Sequence, residues 1–76
     1  MITSRLRILM AENKIKSISE LYRRLDQSNL YISRQTLQRI SQDEGLHKMN
    51  FDTILKLMKF FNCSLTNLFD INWDTV

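Results

Sequence analysis

Apolar residues along this chain recur mostly at three- and four-residue spacing, broken by short polar segments, a period that predicts helices. The most regular stretch runs from Ser17 to Gln42. It opens Ser17-Ile18-Ser19-Glu20, in which the Ser hydroxyl can accept from the amide three residues on while the Glu reaches back to the cap amide. Ile18, Leu21, Tyr22 and Leu25 then form one stripe of a helix over 17–25. Asp26 to Asn29 stop it, because short polar side chains compete for backbone hydrogen bonds. Leu30-Tyr31-Ile32 is β-prone but too short to stand alone, and reads as an extended turn pinned by Ile32. Ser33 opens a second helix over 33–42. Leu37 and Ile40 are its buried edge, Gln35, Gln38, Arg39 and Gln42 project oppositely, and Arg34 sits at the exposed N-terminal end.

The flanks follow the same period. A first helix over about 4–13 is capped by Thr3 or Ser4, with Ile2, Leu6, Leu9 and Met10 inward, Arg5, Arg7 and Glu12 toward water, and Ile8 off the stripe. Residues 13–16 connect it onward, with Ile15 tucked into the core. Residues 43–49 form a loop in which Gly45 is expected as the left-handed stop of the preceding helix. Asn50 caps a helix over 50–61 that buries Phe51, Ile54, Leu57, Met58 and Phe61 and turns Lys56 and Lys59 outward. Asn62 ends it. Ser64 caps a last helix over 64–69, where Leu65, Leu68 and Phe69 close the core. In the tail, 70–76, Ile71, Trp73 and Val76 are too apolar for a solvated end, and are expected to fold back or to meet another subunit. The pattern gives an all-α, compact five-helix bundle, one domain over 1–76.

Composition narrows the chemistry. One Gly and no Pro leave nothing resembling a flexible linker. The single Cys63 excludes an intramolecular disulfide and a multi-Cys metal site, and its apolar surroundings suit an inert thiol. His47 stands alone in a loop, so neither a metal site nor a nucleophile–base pair is expected, and no Gly-rich phosphate loop is present. We expect no enzyme, cofactor, metal or membrane span. No leader is evident, giving a cytoplasmic protein. The charge, +3 overall, is uneven. Residues 1–39 carry eight basic residues against three acidic, and residues 40–76 three against five. The basic half holds the Gln- and Arg-faced helix, as attraction to phosphate requires.

The ordered strings resemble the Cro and phage-repressor class (XRE type) of helix-turn-helix regulators, over roughly residues 2–70. They are Leu6-x-x-Leu9-Met10, Ser17-x-x-Glu20-Leu21, Ile32-Ser33-Arg34-Gln35-Thr36-Leu37-x-Arg39-Ile40, Thr53-Ile54-x-x-Leu57, and Phe61-Asn62-Cys63-Ser64-Leu65-x-x-Leu68-Phe69. The chain departs from the class in a longer turn between the two central helices and in Ile18, which stands where the class often has a phosphate-touching Gln. By resemblance, Arg34, Gln35 and Arg39 fall on base-touching positions, with Gln38 close behind. The chemistry agrees: Arg can pair two donors with guanine O6 and N7, and Gln can do likewise with adenine N6 and N7. Ser33, Ser17, Lys48, Asn50 and Tyr31 are candidates for the DNA backbone.

The expected function is a sequence-specific regulator of double-stranded DNA, a bacterial or phage repressor reading the major groove with helix 33–42 as a homodimer. Leu55, Phe60, Ile71 and Trp73 are candidate dimer residues, being more apolar than the core stripe requires. No small-molecule effector is evident. A second reading is a helical protein-interaction module, an antitoxin-like or anti-repressor partner that keeps the fold without specific DNA reading.

Overall fold

In the computed structural model, which describes residues 2–71, a short strand β1 (Ile2–Ser4) precedes the helices α1 (Leu6–Glu12), α2 (Ile18–Gln27) and α3 (Arg34–Ser41). A single 3-10 turn (Leu46–Lys48) leads to α4 (Phe51–Phe61), α5 (Leu65–Leu68) and a closing strand β2 (Phe69–Ile71). The molecule is a mostly helical bundle with a small antiparallel sheet in which Ile2 lies opposite Ile71, Thr3 opposite Asp70 and Ser4 opposite Phe69. That sheet is a correction. Ile2, Thr3 and Ser4, expected at the start of the first helix, and Phe69, expected to end the last, are strand residues, while Ile71 folds back as expected but does so as a strand. The ladder continues one step as the Arg5 amide donates to the Leu68 carbonyl at 2.9 Å. Consequently α1 starts only at Leu6, whose amide donates to the Ser4 hydroxyl. Trp73 and Val76 lie outside the described residues.

The core joins every helix. Leu6, Leu21, Leu25, Leu37, Ile40, Leu57 and Leu68 are wholly buried, each contributing roughly 1.5–3 kcal/mol relative to an exposed side chain. Ile15 and Ile32, from the two connections flanking α2, are buried with them. Around this centre pack Ile18, Tyr22, Met58, Phe60, Phe61 and Cys63, and burial pushes the Cys63 thiol's pKa above its ordinary value. Two residues expected in the core are not there. Phe51 is 68% exposed and Leu65 43% exposed, because Leu57 and Leu68 alone reach the centre from their helices.

Local chemistry explains the boundaries. The Ser17 hydroxyl accepts from the Glu20 amide as the pattern requires, yet Glu20 Oε2 returns to the amide of Lys16 rather than to that of the cap. Ser33 caps α3 by accepting from the Thr36 amide, and Asn50 caps α4 through Asp52. Ser64 makes no such bond, its hydroxyl pairing instead with that of Thr66. Helix α2 runs on to Gln27, two residues past the expected stop, and the left-handed residue that ends it is Asn29. Likewise α3 is stopped by Asp43, whose φ is 60°, and not by Gly45; the Gly begins the 3-10 turn. Asp43 also ties the sheet to α3, because its carboxylate accepts from the Ser4 amide at 2.7 Å.

Candidate nucleic-acid interface

Helix α3 turns its inner edge, Leu37 and Ile40, fully into the core. A helix advances about 100° per residue, so Gln35, Gln38, Arg39 and the capping Gln42 lie on the opposite side, and all four are exposed. Long amide and guanidinium side chains thus form an unbroken outward face. Gln42 extends the set read from the sequence. The period alone places it outward, and its exposure beside Gln38 and Arg39 makes it a candidate contact.

Two concave surfaces border that face. One, of about 320 Å³, lies where α1 and the start of α2 meet α3, and is lined by Arg7, Lys16, Ser17, Ile18, Gln38 and Ser41 among others. The other, of about 260 Å³, lies between α3 and the start of α4, and brings Thr36, Arg39, Glu44, Lys48, Asn50 and Thr53 together. Each therefore pairs one residue of the α3 face with cationic or hydroxyl groups from a neighbouring element. The first gathers Ser17 with Gln38, and the second gathers Lys48 and Asn50 with Arg39. Sequence reasoning missed Arg7 and Lys16. Their signal was Lys16 directly before the Ser17 cap, and Arg7 on the outward side of α1.

Two other candidates already make internal hydrogen bonds through their side-chain oxygens, which leaves the Asn50 NH2 group able to donate. The Ser33 hydroxyl serves the Thr36 amide and sits 2.8 Å from the Thr36 hydroxyl. The Asn50 amide oxygen is committed to Asp52. Arg34 stands apart from the outward four. It is the i,i+3 neighbour of buried Leu37, which roots it on the flank facing α2, and its guanidinium carbon lies 4.7 Å from the centroid of the Tyr22 ring. Tyr31, 53% exposed, meets Tyr22 edge-on with centroids 5.7 Å apart. The pKa of the Tyr22 phenol is raised, first by desolvation and then by the neighbouring Tyr31 hydroxyl. Tyr31 arrives on the six-residue connection between α2 and α3, and its carbonyl accepts from Lys56 Nζ at 2.8 Å.

A family model described as the Cro/C1-type HTH DNA-binding domain matches residues 5–74. The chain belongs to this family. No curated protein and no solved structure matches it. As a Cro/C1-type domain it is a DNA-binding domain, with α2 and α3 as its helix-turn-helix pair. Within that pair, the connection of six residues between Gln27 and Arg34 gives the domain room for Tyr31 between its two central helices. Ile18 packs partly against the core at the start of α2, so in this Cro/C1-type domain the groups available there are Ser17, Lys16 and the helix-end amides. Among the described residues, no helix of the domain is long and apolar enough to cross a membrane.

Proposed function

We propose that the protein is a sequence-specific transcription repressor that lays α3 in the major groove of double-stranded DNA. The observation that carries this is the outward face of α3, Gln35, Gln38, Arg39 and Gln42, bordered on either side by a concave surface with its own cations. The major groove admits one helix and offers guanine and adenine edges that match Arg and Gln. The two phosphate backbones beside it would meet Arg7, Lys16 and Ser17 on one side and Lys48 and Asn50 on the other. Such contacts set register without reading sequence. Repression follows as the simplest regulatory outcome, since a domain occupying an operator blocks other proteins from it.

A single α3 reads few base pairs, so useful specificity calls for two copies on a two-fold-related site. The surface that suits pairing is apolar and centred on α4. Phe51 and Leu55 are exposed one turn apart, and Ile54 between them lines a groove with Ile2, Leu46, Leu65, Phe69 and Ile71. Ile71 lines this groove and Leu55, next to Ile54 in sequence, is exposed, whereas Phe60 is half-buried against Phe61.

Selection of bound duplexes from a random pool tests the reading. Wild type should enrich a two-fold-related site, with affinity falling steeply as salt rises. Arg39→Ala should lose about 1–3 kcal/mol and its preference at one base pair of each half-site. Uniform binding to every duplex, fading with salt, would mean a basic surface without a reader. It would favour the protein-interaction module instead, with the apolar α4 surface as its contact.

A further inference from the structure

Among the described residues, Arg34 is the one cationic side chain of α3 that lies over an aromatic ring. An unrestrained Arg on a helix surface samples many rotamers, and fixing one of them on binding costs conformational entropy. Here the guanidinium already lies over Tyr22, and a guanidinium over a ring keeps its in-plane N–H donors for acceptors at its edge. The platform is braced in turn. Tyr31 meets Tyr22 edge-on, neighbouring Ile32 is buried, and Lys56 holds the Tyr31 carbonyl while also pairing with Asp52 at 3.1 Å. Every brace comes from the long connection or from α4, so the connection's length is what brings an aromatic to this place. Arg34 is also the i,i+4 neighbour of Gln38, which sets its head beside the outward face rather than on it.

We propose that Tyr22, braced by Tyr31, is a positioning residue that presents the Arg34 guanidinium to a guanine at one defined base pair of each half-site. This rests on the major-groove reading above.

Duplex selection with variants, joined to one spectroscopic readout, tests it. Arg34→Ala should lose roughly tenfold discrimination at one base pair. Tyr22→Leu should lose preference at that same pair and leave those read by Gln38 and Arg39 intact, whereas Tyr22→Phe, which keeps the ring, should retain it. In the free wild-type protein the Arg34 δ-methylene protons should be shifted upfield by the ring current, an effect lost in Tyr22→Leu and kept in Tyr22→Phe. Full discrimination by Tyr22→Leu at the Arg34-dependent pair overturns the proposal, as does an unshifted Arg34 in wild type. If wild type enriches an operator and Arg34→Ala changes no base pair, the proposal alone falls. If wild type enriches no site, the major-groove reading falls with it.

Discussion

Lys14, Asn29, Asp43 and Asn62 hold φ between 51° and 60°, a left-handed conformation that costs an L-residue about 1–2 kcal/mol. Each stands at the end of a helix, and in each case the next residue's amide reaches back five positions: Ile15 to Met10, Leu30 to Leu25, Glu44 to Arg39 and Cys63 to Met58. With one Gly in the chain, other residues take its usual place. Asn and Asp tolerate this through their short polar side chains, and Asp43 gains its bond to the Ser4 amide as well. Lys14 has no such compensation in its side-chain chemistry. Lys14→Gly should therefore raise stability by about 0.5–1 kcal/mol in chemical denaturation, the relief of strain outweighing the added freedom of the unfolded chain. Asp43→Gly should gain less, because it also gives up the tether to β1.

The elements differ in how openly the sequence declares them. Helices α2 and α3 were legible because Leu21, Leu25, Leu37 and Ile40 are spaced for one inward edge and Ser17 and Ser33 mark the starts. Phe51 and Leu65 misled, since helical spacing shows which residues share a side but not how deep that side sits; the centre was already filled by Leu57 and Leu68. The two strands were invisible. Three residues apiece carry no readable alternation, and their pairing depends on a partner at the far end of the chain. In the candidate site, Gln35, Gln38 and Arg39 followed from opposition to Leu37 and Ile40. The stack of Arg34 on Tyr22 did not, because it depends on how α2 and α3 cross. Ser33 carries an element-scale prediction. Its hydroxyl already serves the Thr36 amide and hydroxyl, so Ser33→Ala should cost about 1 kcal/mol of stability and leave the salt dependence of DNA affinity unchanged. Lys48→Ala should do the reverse, lowering that slope by about one at nearly constant stability, as titrations at several salt concentrations would record.

For the whole molecule, the proposed reading gives the concavities beside α3 to DNA and the apolar surface that includes Ile54 of α4 to a second copy. Leu55 is 46% exposed, and Asp in its place should leave the monomer folded while weakening pairing. On the proposed pairing, sedimentation should find wild type as a dimer and the variant as a monomer, and cooperative filling of a two-fold site should be lost; an unchanged dimer would move the contact elsewhere. The sheet that joins Ile2 to Ile71 has a consequence in time as well as in space. Most other contacts, helix turns and adjacent helices among them, link near neighbours in sequence and form early at small entropic cost. The clasp between β1 and β2 must close a loop of almost the entire chain, which becomes favourable only after the helices between have condensed and brought the two strands together. The helix-turn-helix pair is thus assembled from local pieces, and the strand pair is expected to be the last contact to form.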